Sequence, residues 1–465
     1  MKHMMWRAAA GALAVSLCLA SGANAAGTAA APGATAKIIA AEAKRFDVPG
    51  MAVAAIRNGR VAWIHHYGLA GEGRPVTGQT VFNVASLTKP MFATMVLHLA
   101  ASDQFGLDTP LATHWVDPDV AEDPRHEQLT ARLALSHQTG LPNWRGGNPL
   151  SFAFEPGARH EYSGEGFEYV RRAVERATGQ KMPALMARYV QDPAGMAHTY
   201  FGWSDEVAAD LVVGYREDGS ALDTSSLKKR TPNAAASTFT TIDDVSRFAA
   251  WVARGAGLPA SLTQELRRPQ AVHDSPAEYF SLGWRITQVD GTPILSHDGR
   301  ENGLRTLMIV NPDTRDGLVI LTNSSNGELV TRAIIDAVLP RGTALNAQID
   351  RDVWHFIRSQ PLAMQAGLLG FIPRSPSFTA KLLYAVHQSL IEGSALAADV
   401  KRAAFATVAL VVDAHHQGDI AAEELAAHLA LLDEDSSEAV NLTGSFTTEQ
   451  AQRWIESTSS LVPSD

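Results

Sequence analysis

The chain has 465 residues, 46% of them hydrophobic and 19% charged, which is enough apolar material for a sizeable core and gives no bias toward disorder or a fibrous repeat. Its length sets a prior of roughly three units, a count that large catalytic domains often break. The formal net charge of −10 excludes a basic nucleic-acid footprint and makes anionic membrane surfaces poor partners.

The chain opens on a targeting pattern rather than on fold. Lys2 and Arg7 supply a positive end, residues 8–20 are apolar, and Ala23-Asn24-Ala25 supplies the small residues of a cleavage site. Cleavage after Ala25 is expected, and with it a periplasmic or secreted protein. The apolar run is shorter than the ~20 residues a span needs, and no later stretch of that length lacks charge. The mature protein is therefore expected to be soluble. Cys18, the only cysteine, falls in this leader, and Leu17 before it does not suit a lipoprotein site. The mature chain would hold no disulfide, and loss of Lys2 and Arg7 takes its formal charge to −12.

Residues 26–35, rich in Ala, Gly, Thr and Pro, read as a flexible lead-in to a helix over 36–46. Met51-Ala52-Val53-Ala54-Ala55-Ile56, the pair Asn58-Gly59, and Val61-Ala62-Trp63-Ile64 predict a β-hairpin, because an Asn-Gly turn supplies two residues at positive φ. Over 86–101 the period changes: Met91, Met95, Val96 and Leu99 fall at helical spacing, with Pro90 in the first turn, where its missing N–H costs nothing. To about residue 230 helices alternate with irregular loops such as 140–156. Strands return at Leu307-Met308-Ile309-Val310 and Leu318-Val319-Ile320-Leu321, flanking a turn-rich 311–317.

Strand material thus lies at both ends of residues 36–335, with mainly helical material between. This predicts an α+β fold: one sheet built from distant segments and flanked by helices, with a mainly helical domain inserted. Beyond residue 346 the segments 378–392, 398–412, 423–432 and 449–458 read as a separate helical extension. The expected division is a leader (1–25), a lead-in (26–35), a catalytic domain (36–345) and the extension (346–465), without internal repeats.

Three short segments carry chemistry. Ser86-Leu87-Thr88-Lys89 places a hydroxyl and an amine three residues apart on a helix face. A serine hydroxyl becomes a good nucleophile when a base takes its proton, and a lysine can do so once burial lowers its pKa. The same spacing recurs at Ser225/Lys228 and Ser226/Lys229, in a polar stretch that reads as a decoy, and a plain helix start with a solvated lysine is the bland alternative. Tyr162, within Glu161-Tyr162-Ser163-Gly164-Glu165-Gly166, offers a hydroxyl to shuttle protons, or a ring packed in a glycine-rich turn. Ser296-His297-Asp298-Gly299-Arg300 leads toward the Leu307 strand. Glycine there lets a substrate approach an edge strand, and an N–H just beyond it can help the N–H of Ser86 cradle an oxyanion. His416-Gln417-Gly418 repeats that spelling in the extension, and a lone histidine at a strand end is often structural.

In this order and these settings, the three segments resemble the serine β-lactamase and penicillin-binding-protein superfamily, specifically its class C β-lactamase-like branch. Ser86-Leu87-Thr88-Lys89 looks like its S-x-x-K motif, Tyr162-Ser163-Gly164 like Tyr-x-Asn, and His297-Asp298-Gly299 like Lys/His-x-Gly. Asp47-Val48-Pro49-Gly50, the stretch Leu135-Ser136-His137-Gln138-Thr139-Gly140-Leu141-Pro142 and residues 237–248 agree. The resemblance covers about residues 36–335 and implies acyl transfer. Ser86 would attack, Lys89 or Tyr162 would take the proton, and Tyr162 would help protonate the leaving group. His297, Gly299 and Arg300 would face substrate and oxyanion, with no metal or organic cofactor.

Two departures bear on substrate. Gly164 stands where the family has an asparagine amide, removing its donors and acceptor. His297 stands in place of a lysine, replacing a permanent cation by a group of reference pKa ~6.5; Arg300 is the candidate compensating charge. These favour an esterase or D-amino-acid peptidase acting on a small molecule or short peptide. The alternatives are a β-lactamase or D-Ala-D-Ala carboxypeptidase, and a non-catalytic penicillin- or peptidoglycan-binding sensor or scaffold. In the extension, residues 413–424 echo an EF-hand loop, with Asp413 first, Gly418 sixth, Ile420 eighth and Glu424 twelfth. His415 and Gln417 replace the usual oxygen ligands, so a helix–turn–helix that packs on the catalytic domain or binds a partner is the plainer reading.

Overall fold

A computed structural model describes residues 30–272 and 278–349. The expected leader with Cys18, the helices expected from 378 onward, His416-Gln417-Gly418 and the 413–424 loop lie outside the described residues.

Helix α1 (Gly33–Arg45) leads into β1 (Gly50–Arg57), β2 (Arg60–Gly71) and β3 (Arg74–Pro75). Then come β4 (Phe82–Asn83), a 3₁₀ turn (Ala85–Leu87), α2 (Thr88–Ala101), α3 (Ala131–Leu135) and α4 (Gly164–Thr178). Short elements follow: α5 (Met182–Met186), α6 (Asp192–Ala194), β5 (Tyr200–Phe201), α7 (Asp205–Asp210) and β6 (Thr238–Thr240). Helices α8 (Ile242–Ala253) and α9 (Ala260–Arg267) lead back to strands β7 (Ala271–Val272), β8 (Glu278–Phe280) and β9 (Arg285–Val289). The last strands are β10 (Thr292–Glu301), β11 (Leu304–Asn311) and β12 (Asp316–Thr322), followed by α10 (Thr331–Val338).

The predicted hairpin forms, with Asn58 at φ 50° and Gly59 at φ 71° in its turn. β1 then pairs antiparallel with β12, from Met51 opposite Thr322 to Ile56 opposite Gly317. One nine-stranded antiparallel sheet results, in the order β3-β2-β1-β12-β11-β10-β9-β8-β7. Residues 76–270 fall between its two halves, and they also form a small sheet of order β4-β6-β5.

Both faces of the central strands are covered. Met51, Val53 and Ala55 pack with Ile39 of α1 and Ile334, Ile335 and Val338 of α10. Ala52, Ala54 and Ile56 pack with Val245, Phe248 and Ala249 of α8. A strand buried on both sides reads as an unbroken apolar run rather than an alternating one, and residues 51–56 do so. α1 starts at Gly33, three residues before the expected 36, because Pro32 in extended backbone can open it directly. The expected 86–101 helix opens with the 3₁₀ turn, so Ser86 sits in a tight bend rather than in the helix body.

The glycine-bearing strand is not an edge strand. β10 is the sixth of nine, but β9 pairs only with its Thr292–Ser296 half. The chain before β9 turns away through a bond from Ser281 N–H to Trp284 O of 2.8 Å. Residues 297–301 therefore keep an open side within an interior strand.

Phe248 carries the contact of α8 with the sheet: it is fully buried, and its ring stacks over Trp284 at 6.4 Å. Phe248→Ala should cost about 3–5 kcal/mol of unfolding free energy, measured by urea denaturation. Ile38→Ala, on the outer face of α1, should cost under about 1 kcal/mol; equal losses would mean that the α8 face is not the core it is described to be.

Candidate active site

The turn that presents Ser86 is built by its neighbours. Ala85 adopts φ 45°, unusual without glycine, and its N–H is caught by Asn83 Oδ1 at 2.9 Å. Leu87 N–H returns to Val84 O at 3.1 Å. Thr88 Oγ1 donates to Ala85 O at 2.7 Å and meets Thr238 Oγ1 of β6 at 2.8 Å. The bend is thus tied both to itself and to the small sheet.

One helical turn on, Lys89 is only 1% exposed. Its Nζ donates to Ala235 O at 3.0 Å and lies 3.3 Å from Ser86 Oγ. It also stands 4.6 Å from the centre of the Tyr162 ring and 5.6 Å from that of Phe167. Burial pulls its pKa down to about 7, against a smaller opposing pull from Asp298. Near neutral pH a large share of Lys89 is therefore an unprotonated amine beside a serine hydroxyl.

Tyr162 precedes α4, whose first turn is capped by Ser163: its Oγ accepts Gly166 N–H at 2.9 Å and donates to Pro142 O at 2.9 Å. Burial holds the Tyr162 pKa above the ordinary phenol value, against a smaller opposing pull from the Ser86 hydroxyl beside it. Tyr162 keeps its proton where Lys89 has begun to lose its own.

The open half of β10 faces the Ser86 turn. A Cβ added to Gly299 would overlap Val84 O and Thr306 Oγ1, so this position needs glycine for close approach of strand to turn. His297 is buried, and its Nδ1 lies 2.7 Å from Asp298 O. A carbonyl oxygen only accepts, so Nδ1 carries the proton and Nε2 offers a lone pair. Among the described residues Nε2 finds no hydrogen-bond partner. Burial draws the His297 pKa down to about 4, against the opposing charge of Asp298 and aided by Lys89. Burial alone would raise Asp298, but Arg285, Arg300 and His297 outweigh it and hold the carboxyl well below its usual range. Arg300 is 62% exposed and turns onto Asp298 at 3.3 Å and Glu328 at 2.6 Å.

The structure thus brings Ser86, Lys89, Tyr162, His297 and Gly299 together and directs the Arg300 side chain onto carboxylates. The Ser225/Lys228 pair sits on an exposed 3₁₀ turn, with Ser225 Oγ bonded to Asp223. Three contributors were not singled out from the sequence: the Ala235 carbonyl, the Asn83 amide and His137. Backbone carbonyls carry no residue signature, and His137 was visible only within a resembling stretch. Its ring stacks on Tyr162 at 4.2 Å. Among the described residues no group of three or more His, Cys, Asp or Glu side chains is arranged to hold a metal ion.

A family model described as Beta-lactamase matches residues 35–339. The chain is 25% identical over 339 residues to an Unguisins hydrolase of Aspergillus violaceofuscus, covering 61% of this chain and 59% of that protein. It is 24% identical over 375 residues to a D-aminopeptidase of Gluconobacter oxydans, covering 75% and 69%. The chain therefore spans about three fifths of the first relative and about two thirds of the second. Its fold is similar to that of the D-alanine carboxypeptidase AmpC of Burkholderia cenocepacia, with TM-score 0.55 at 21% identity over 65% of this chain and 97% of the other.

The Lys89 environment sets a pH signature. Labelling of Ser86 by a fluorophosphonate should accelerate as pH rises through a midpoint near 7, because only the deprotonated amine accepts the serine proton. Lys89→Ala should lower the plateau rate at least about 100-fold. A midpoint above 9 would show that Lys89 keeps its ordinary pKa and that burial does not act as described.

Proposed function

The chain belongs to the Beta-lactamase family, whose model matches residues 35–339, and from that premise we propose that it is a serine hydrolase working through a covalent acyl-enzyme on neutral esters or amides. The observation that carries this reading is Lys89 Nζ, buried and held between Ala235 O and Ser86 Oγ, with the Tyr162 side chain beside both.

Neutral Lys89 takes the hydroxyl proton as Ser86 Oγ forms a bond to the substrate carbonyl carbon. The carbonyl becomes an oxyanion, cradled by the backbone N–H groups of Ser86 and of Arg300, just beyond Gly299. Collapse restores the carbonyl and breaks the bond to the leaving group. Tyr162 donates its proton to that group and is reprotonated from Lys89. Water then adds to the acyl-enzyme, giving its proton to Lys89, and the acid departs as Ser86 Oγ recovers a proton. The high pKa of Tyr162 and the low pKa of Lys89 divide the work: the amine is the base and the phenol the acid.

His297 supports a neutral substrate. It is a buried acceptor whose lone pair meets no donor among the described residues, where a carboxylate would need a donor or a cation. The Arg300 guanidinium is already engaged with Asp298 and Glu328. This favours an esterase or peptidase over a β-lactamase or a carboxypeptidase that reads a terminal carboxylate. The leader-like residues 1–25 support export to the periplasm or the medium.

Intact-mass measurements with p-nitrophenyl butyrate and with benzylpenicillin, beside Ser86→Ala, test the proposal. Turnover of the ester, lost in the variant, is expected, with slow or absent penicillin acylation. His297→Lys should raise penicillin acylation relative to butyrate turnover about tenfold, the scale of one charge-assisted hydrogen bond. Absence of both adduct and turnover in the unmutated protein would overturn the hydrolase reading in favour of a binding protein. Penicillin acylated faster than the ester would overturn the neutral-substrate reading.

A further inference from the structure

We propose that His137 is a positioning residue that fixes the Tyr162 hydroxyl on Ser86 by gripping the backbone on either side of the tyrosine and backing its ring. The inference rests on the role given above to Tyr162 as proton donor to the leaving group.

His137 lies just beyond α3 and is fully buried. Its carbonyl accepts Glu161 N–H at 2.8 Å, and its Nδ1 accepts Ser163 N–H at 3.0 Å. These two bonds bracket Tyr162. Between them the imidazole lies against the phenol ring at 4.2 Å and 29°. One residue therefore fixes the backbone before Tyr162, the backbone after it, and the plane of its side chain.

The tautomer follows from the bonding. Because Nδ1 accepts from a backbone N–H, the ring proton sits on Nε2, which has no hydrogen-bond partner among the described residues. Burial, joined by the charges of Lys89, His160 and His297, holds the His137 pKa well below its usual value. The ring is thus a neutral fixture and not a proton carrier. Its backbone adopts φ 59°, in the left-handed region where His, like Asn and Asp, is enriched among non-glycine residues. A residue that merely filled space would need no paired contact with the backbone on both sides of Tyr162, which His137 makes at Glu161 and Ser163.

The leaving group provides the test. An alkoxide must be protonated as it departs, whereas p-nitrophenolate leaves unaided, so a misplaced Tyr162 penalises the first and spares the second. Kinetics of ethyl butyrate and p-nitrophenyl butyrate are compared for His137→Ala and His137→Asn, with rates expressed per site titrated by fluorophosphonate. Asparagine tolerates positive φ and offers an oxygen acceptor near the place of Nδ1.

His137→Ala should lose about 100-fold in kcat/KM on the ethyl ester, chiefly in kcat, and under about threefold on the p-nitrophenyl ester. His137→Asn should recover roughly tenfold of that loss. Equal losses on both esters in both variants would overturn the inference, since a damaged fold lowers both alike. Tyr162→Phe, run in parallel, separates this inference from the reading beneath it. If Tyr162→Phe shows no preference between the esters, the proton-donor reading fails and the inference with it. If Tyr162→Phe is selective and the His137 variants are not, the inference alone fails.

Discussion

The arrangement depends on a lysine amine taken out of water with, among the described residues, no carboxylate in its hydrogen-bond shell. Lys89 has Ala235 O and Ser86 Oγ as its hydrogen-bond partners and two aromatic rings beside it. Desolvation penalises the ammonium more than the amine, and partial neutralisation is the response. That places an amine base against a serine at neutral pH. The penalty of burying an amine can be borne only within a fold that leaves it no alternative, and α2 supplies one. Its residues from Met91 to Leu97 are buried on every side, and the bend at its head is locked by Asn83, Thr88 and Thr238.

The electrostatics around that lysine are graded rather than uniformly positive. His297 is held neutral by the same burial that lowers Lys89, and Asp298 remains ionised because Arg285 and Arg300 stand against it. The ionised Asp298 is also the charge that keeps Lys89 and His297 from falling further. A lysine at position 297 would add a second cation near Lys89 and push its pKa down again. Histidine avoids that conflict and leaves a lone pair where a cation would stand, so the residue at 297 bears on both the base and the choice of substrate.

Local signals in the sequence described local geometry well. Asn58-Gly59 marked the hairpin turn because two positive φ angles have few other spellings, and the 86/89 spacing placed amine and hydroxyl on one helical turn. The antiparallel sheet was legible as strands at both ends of a long helical stretch. What escaped depends on partners far away in the chain. Gly299 signalled a close approach but not that its partner is the backbone of Val84, and Ala235 contributes only a carbonyl. β10 read as an edge strand because its open half follows from how far β9 extends, a length set by the turn at Ser281 and Trp284.

His137 shows the same limit from the other direction. It stood out in the sequence only within the stretch 135–142 that resembles the family, and a lone histidine carries no chemistry of its own. Its meaning arises only when the 137 carbonyl and ring nitrogen meet the N–H groups of residues 161 and 163. The N–H of Ser163, at the cap of α4, is one of the donors that has no intrahelical acceptor. His137 Nδ1 supplies that acceptor, and the His137 carbonyl takes the N–H of Glu161 in the loop before the cap. One unmet donor of a helix terminus and one loop donor are thereby turned into the means of aiming a phenol at the nucleophile.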